Sequence, residues 1–280
     1  MSTTDVSNQP RQPGSGAQAD HTLVAIVPTY IVTSSALPLL NQLSQACPTL
    51  IVDDCSPCTS DPTLLSASEF GARVLRMPDR SGIARSLNLG LEFAREHGAA
   101  WLLTVDQDTT MADHYIGDAV EFLNSDVGRH LHIGALGAAH IYVDEHEIDL
   151  IGDPIKEVMD VPELIQSGTL WNVQAMTSIG GFSESLGMDA IDAEACLRLR
   201  ENGYQVQVLH ALEIVHEIGD TRVRCILGRD VHITHHSRER LNAMVTNRLR
   251  LFPRELRQSP PHALRTVRRV VTNYLLSRTK

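Results

Sequence analysis

Five cysteines in 280 residues, Cys47, Cys55, Cys58, Cys196 and Cys225, are too few and too odd in number for a disulfide framework. They suit a reducing compartment, the cytosol, better than secretion. Cys55 and Cys58 have C-x-x-C spacing, but no second pair accompanies them, so zinc or redox chemistry is the lesser reading of that loop. No run of about 18 apolar residues occurs, which argues against a spanning helix. Residues 1–20 lack an apolar segment and are rich in Ser, Gln, Gly and Pro. They read as a disordered leader, neither a signal peptide nor an Arg-rich transit peptide. No internal repeat is present. No G-x-G-x-x-G follows the first apolar run; Pro28-Thr29-Tyr30 stands there and offers no glycine cradle for a dinucleotide pyrophosphate, which disfavours an NAD enzyme.

The charge that is present is unevenly placed. The net charge is -10, yet residues 221–280 hold 14 Arg/Lys against 3 Asp/Glu, leaving about +11 there and about -21 on the first 220 residues. An acidic body argues against a nucleic-acid-binding core, and a basic end argues for an anionic surface.

Leu23-Val24-Ala25-Ile26-Val27 is a continuous apolar run typical of a parallel strand covered on both faces. Ala36–Ala46 has helical apolar spacing, and Thr49-Leu50-Ile51-Val52 is a second strand ending on Asp53-Asp54. Glu69–Met77 contains a third strand, Gly82–His97 is an amphipathic helix with Ile83, Leu87, Leu91 and Ala94 on one face, and Ala100–Val105 is a fourth strand. His132–Val143 contains strand structure, Asp192–Asn202 is a helix stopped by Gly203, and Gln205–Leu209 is a further strand. The alternation predicts an α/β fold, a Rossmann-like mostly parallel sheet flanked by helices, with its site along the carboxyl ends of the strands.

The fourth strand ends Val105-Asp106-Gln107-Asp108-Thr109. If the extended backbone continues, Asp106 and Asp108 at i and i+2 point to one side, where two like charges call for a cation. A D-x-D pair also serves to cap a helix or form an Asx turn. Its place at the end of a strand in an open α/β sheet favours a ligand.

The ordered set VPTY, IVDDCS, SGIARSLNLG, VDQDT, SGTL, IGGFSESLGMDAIDAEACLRL, NGY and VHEIG resembles the inverting family 2 glycosyltransferases of GT-A fold, and most of all the bacterial rhamnosyltransferases with their D-Q-D-[ST] strand end. The resemblance covers roughly residues 22–250 and implies a GT-A domain over residues 21–250; the residues beyond it, 251–280, read from their own charge and spacing as a basic helical tail, a C-terminal helical extension. It implies a donor site of Pro28, Thr29, Tyr30, Asp53, Asp54, Arg80, Asp106 and Gln107. Within it Asp53 accepts from the base N3–H, which thymine and uracil share. Asp106, Asp108 and His216 would hold a divalent cation, Mg²⁺ or Mn²⁺, against the donor diphosphate. Turn formation for Asp53-Asp54 and core packing for His216 are the structural alternatives.

The catalytic base falls among Asp189, Asp192 and Glu194, with Asp192, the acid opening the helix, first; such an acid also caps helices. Arg80-Ser81-Gly82, Ala190, Ala195 and Asn242-Ala243 depart from the family's usual residues on the acceptor side, while Ser167-Gly168 and Asn247-Arg248 keep to it. The implied activity is metal-dependent transfer of a sugar, by resemblance L-rhamnose from dTDP-L-rhamnose. The implied acceptor is a saccharide or lipid-linked hydroxyl in cell-surface polysaccharide synthesis, with no nucleic-acid partner. A non-catalytic sugar-nucleotide-binding protein and a nucleotidyltransferase are the alternatives. After Pro260-Pro261, Leu264, Val267, Val271, Tyr274 and Leu275 fall at helical spacing among Arg265, Arg268, Arg269 and Arg278. That pattern reads either as a helix packed on the domain or as peripheral docking at the inner face of an anionic membrane.

Overall fold

The computed structural model describes residues 23–57, 62–143, 146–150, 157–216, 221–226, 229–234 and 238–278. The leader expected at 1–20 and Cys58 of the C-x-x-C pair lie outside these residues. Four strands, β1 (Leu23–Thr29), β2 (Thr49–Asp53), β3 (Arg73–Arg76) and β4 (Trp101–Thr104), are connected through α1 (Leu37–Ala46), α2 (Pro62–Glu69) and α3 (Ile83–Glu96). They pair in parallel in the order β3-β2-β1-β4. The apolar run of β1 is continuous because both faces are covered. Ala25 and Val27 pack with Leu40 and Leu43 of α1, and Val24 and Ile26 with Leu87 and Leu91 of α3. A Cβ on Gly90 of α3 would lie 2.8 Å from the Ile26 side chain, so only glycine lets the helix sit this close to the sheet.

The second half runs through β5 (Thr109–Met111), α4 (Tyr115–Asn124), α5 (Asp126–His130), β6 (Ile133–Val143), β7 (His146–Leu150), β8 (Val158–Asp160), β9 (Thr169–Asn172), α6 (Val173–Ser178), α7 (Ile191–Glu201) and β10 (Gln205–His216). A hairpin, β11 (Thr221–Ile226) with β12 (Arg229–Thr234), and two helices, α8 (Arg238–Gln258) and α9 (Pro260–Arg278), complete the described chain. The parallel pattern of the first half gives way here. β9 is antiparallel to both β4 and β6, and β10 is parallel to β6 but antiparallel to β5 and β8. β10 shifts register against β6 between Leu209 and Glu213, an irregularity of the kind that bends a strand. Past it, β10 reaches β5, which follows the D-Q-D segment, and sets His216 opposite Thr109.

The boundary drawn at 250/251 falls inside α8, which is continuous through Pro253. Leu251 packs on Ala190, Ala193 and Leu197, so the small residue Ala190 gives α8 room to approach α7. Pro260 opens α9, where its missing N–H costs no helical bond. The side of α9 that is buried carries Ala263, Thr266 and Val270, whereas Leu264 and Leu275 are each 58% exposed. Among the described residues no helix is long and apolar enough to cross a membrane.

Candidate active site

The first wall of the site is the carboxyl edge of β1 and β2. Tyr30 donates its backbone N–H to Gln107 Oε1 at 2.9 Å, and Gln107 Nε2 donates back to the Tyr30 carbonyl at 3.2 Å. This two-way amide contact ties the end of β1 to the D-Q-D segment. The Arg80 guanidinium lies 3.8 Å from the Tyr30 ring centroid and 4.0 Å from Asp54, a cation held between a π face and a carboxylate. Asp54 accepts from the backbone N–H of Ser81 at 2.7 Å and of Gly82 at 3.1 Å, fixing the loop that carries Arg80. Thr29 is buried, its hydroxyl turned toward the Val52 carbonyl, and Pro28 pairs with Val52 in register. Asp53 is 0% exposed. Its carboxylate accepts from the Ser56 backbone N–H and hydroxyl and lies 3.8 Å from Arg76.

Asp106 and Asp108 are not on an extended strand. β4 stops at Thr104, and the Asp106 carbonyl accepts from Thr109 N–H at 3.2 Å, so the acids occupy a turn and the i, i+2 alternation does not extend to them. Asp106 is half-buried and Asp108 exposed. The backbone N–H of Asp106 donates to Ser167 Oγ at 2.9 Å, and its Oδ1 accepts from Gln166 Nε2 at 2.9 Å. The His216 backbone lies in register beside this turn; its side chain is outside what the structure describes, as are Glu217 to Asp220. Two hard carboxylates suit Mg²⁺ or Mn²⁺. Among the described residues no group of three or more His, Cys, Asp or Glu is arranged to hold a metal ion.

The third element is the start of α7. Asp192 Oδ1 accepts from Ala193 N–H at 2.8 Å and Oδ2 from the Gln166 backbone N–H at 3.2 Å. Burial pushes Asp192 up to about 6, against the pull of the Arg248 charge and with the help of Glu163. Burial likewise raises Asp189, opposed by Arg248 and Arg240. Glu194 faces elsewhere: Arg198 grips both of its oxygens at 2.8 Å, and Arg254 lies 3.4 Å away. It secures α7 and does not touch Asp192 through any of these bonds. Asn247 of α8 donates to the Leu186 and Asp189 carbonyls at 2.7 and 3.0 Å, holding the loop that precedes α7.

Backbone strain gathers at the same three places. Among the described residues the non-glycine ones with left-handed φ are Ile31 (52°), Cys55 (59°) and Ala190 (62°), and they follow Tyr30, Asp54 and Asp189. Such conformations persist where surrounding structure over-determines them, often at binding sites.

The family model "Glycosyl transferase family 2" matches residues 25–128, from β1 through the D-Q-D turn. This match supports a family 2 glycosyltransferase of GT-A fold, the fold that the sheet and its flanking helices form. Over 269 residues the glycosyltransferase is 25% identical to the dTDP-rhamnosyl transferase RfbF of Shigella flexneri, covering 89% of this chain and 84% of that one. The crystal structure of S. aureus TarS superposes with a TM-score of 0.59 at 18% identity over 92% of this chain. The chain spans 44% of the length of that TarS chain. TarS 1-349 in complex with UDP-GlcNAc gives 0.59 at 16% identity, covering 90% of this chain and 72% of that one. GalNAc-T7 with UDP, GalNAc and Mn²⁺ gives 0.56 at 11%, covering 71% and 44%. At these identities the solved structures establish the fold of the glycosyltransferase.

Sequence reasoning missed Glu163 and Gln166, both in Val161-Pro162-Glu163-Leu164-Ile165-Gln166 ahead of Ser167-Gly168. The signal present was two polar residues inside an otherwise apolar run.

Proposed function

We propose that this glycosyltransferase is a metal-dependent inverting enzyme moving L-rhamnose from dTDP-L-rhamnose to a hydroxyl of a saccharide or lipid-linked acceptor in cell-surface polysaccharide synthesis. The observation that supports the reading is that Gln166 contacts both Asp106 of the D-Q-D turn and the carboxylate of Asp192, so that the acids proposed for the cation and for the base flank one residue. The donor assignment is supported by the likeness to RfbF, and the use of a nucleotide sugar by the binding of UDP-GlcNAc in TarS.

In this mechanism Tyr30, Arg80 and Gln107 line the nucleotide side. Ionised Asp192 takes the proton of the acceptor hydroxyl while that oxygen forms a bond to the anomeric carbon. The bond from that carbon to the diphosphate breaks, and its electron pair leaves with the nucleoside diphosphate. A cation held by Asp106 and Asp108, with His216, would neutralise charge on the leaving diphosphate. A carboxyl pushed up to about 6 by burial is still mostly ionised at neutral pH and more basic than an ordinary carboxylate.

Incubating the protein with dTDP-rhamnose, UDP- and GDP-sugars, with and without Mn²⁺ or Mg²⁺, tests the reading. Metal-dependent release of dTDP from dTDP-rhamnose is expected. Sugar-nucleotide binding without release would make the protein a non-catalytic binder, and formation of nucleoside triphosphate and sugar 1-phosphate only when pyrophosphate is added would make it a nucleotidyltransferase.

The membrane contact belongs to the same reading, because lipid-linked acceptors sit on an anionic surface. Residues 260–280 carry five Arg/Lys and no acid. The exposed Leu264, Val271 and Leu275 lie on the face of α9 turned away from Ala263, Thr266 and Val270. An apolar stripe beside Arg265 and Arg268 complements an anionic bilayer, where each basic group near the lipid adds about 1 kcal/mol. Truncation after Pro261 would test this poorly, since His262 lies 3.5 Å from Glu163 and would be lost too. Leu264→Gln with Leu275→Gln is expected to lower partitioning to phosphatidylserine vesicles at least about tenfold at low salt and to spare transfer to a soluble acceptor. Unchanged partitioning would leave α9 a packing element.

A further inference from the structure

Gln166 is 8% exposed and contacts both carboxylates of the site with different groups. Its main-chain N–H reaches Asp192 at 3.2 Å and its side-chain amide reaches Asp106 at 2.9 Å. The segment around it is held at both ends. Upstream, Glu163 accepts from Arg248 at 2.6 Å and lies 3.5 Å from His262, so α8 and α9 both grip it. Burial would raise the Glu163 carboxyl, but the His262 hydrogen bond and the Arg248 charge outweigh it and hold it down at about 2. Downstream, Ser167 accepts from Asp106 N–H, and Gly168, with φ of 77°, donates to the Thr104 carbonyl at 2.8 Å. A Cβ at Gly168 would lie 3.0 Å from Ile214 and from the Tyr115 hydroxyl, which itself donates to the Gly168 carbonyl.

We propose that Gln166 is a positioning residue that sets Asp106 for the cation and ties that setting to the placement of Asp192, with α8 and α9 anchoring it through Glu163. The physical reason is geometric. An amide N–H fixed on one carboxylate oxygen of Asp106 leaves the other oxygen with a defined direction, which a ligand-orienting partner does for a metal-binding group. Because the same residue's backbone holds Asp192, a displacement of the strap moves base and cation site together. This inference rests on the metal-dependent reading above.

Calorimetric titration of the full chain with Mn²⁺ in the presence of dTDP, and separately of UDP, tests it alongside thermal unfolding. Gln166→Met keeps length and volume but removes the amide. Gln166→Ala empties the same space and covers the case in which the thioether does not fit. Both variants are expected to bind Mn²⁺ at least about tenfold more weakly, the range seen for lost ligand-orienting partners. Their metal-free nucleotide binding should stay near that of the unaltered protein, while Tm falls by a few degrees, more for Gln166→Ala, which leaves space in a buried position. In transfer assays the Mn²⁺ needed for half-maximal rate should rise, and excess Mn²⁺ should recover most of kcat, since the N–H to Asp192 remains. Unaltered protein that binds Mn²⁺ alongside a Met variant that binds it equally well would overturn this inference alone. Unaltered protein that binds no Mn²⁺ with either nucleotide would overturn the metal reading and this inference with it. Loss of metal-free nucleotide binding in parallel with Mn²⁺ binding would make Gln166 a general support of the fold and likewise overturn it.

Discussion

Asp106→Ala and Asp108→Ala are each expected to abolish metal-dependent transfer, a loss of at least about 10³ in kcat/KM, corresponding to the several kcal/mol of charge stabilisation a cation lends a leaving diphosphate. The two differ in what else they disturb. Asp108 is exposed, so its replacement should leave stability within about 0.5 kcal/mol of the unaltered protein. Asp106 accepts from Gln166 and is half-buried, and its loss strands a buried amide donor at a cost of about 1–3 kcal/mol. Turnover with Mn²⁺ and Mg²⁺, read beside the unfolding temperature, separates lost chemistry from lost fold. Full activity in both variants, with the fold intact, would remove the turn from the reaction.

Asp192→Asn should retain donor binding and lose transfer by at least about 10², the lower range for a positioned general base. In the unaltered protein kcat/KM should rise about tenfold per pH unit below about 6 and level off above it, because only the carboxylate can take the proton. The sign on stability is the reverse of a salt-bridged acid. Burial raises Asp192 in the folded state above its unfolded value, so the folded state binds the extra proton. The stabilisation this gives is fully present below the unfolded value and is lost as pH rises through about 6. Asparagine cannot ionise, so the variant's unfolding temperature should lose this fall through about 6, and because its amide has one acceptor oxygen it keeps only one of the two N–H bonds made to Asp192. An active Asp192→Asn beside a dead Asp189→Asn would move the base to Asp189.

The mixture of legible and illegible features follows from the range of the forces involved. Strand identity in β1, β2 and β4 is readable because a short, nearly continuous apolar run satisfies one local pattern, and helix α3 because its apolar residues recur every three or four positions. The helix beginning at Ile191 and ending before Gly203 is equally local. Those elements, in their order along the chain, were enough to place the D-Q-D acids at a strand end and Asp192 at a helix start.

Only the tertiary structure decided the rest. It put the D-Q-D acids in a turn, since the hydrogen bond from Thr109 to the Asp106 carbonyl outcompetes continuation of the strand. It enclosed Asp53, because Ser56 and Arg76 supply donors to a carboxylate that burial would otherwise penalise. On α9 it buried Ala263, Thr266 and Val270 and left the larger Leu264 and Leu275 outside, which periodicity alone assigns the other way. Arg248 meets Glu163 across 85 residues and Gln166 meets Asp106 across 60. Pairings of that length are set by how β9, β6 and β10 stack beyond the parallel half and by where α8 lies on α7. Neighbouring residues carry no trace of them, because the charges and amides involved gain their strength only once water has been excluded around them.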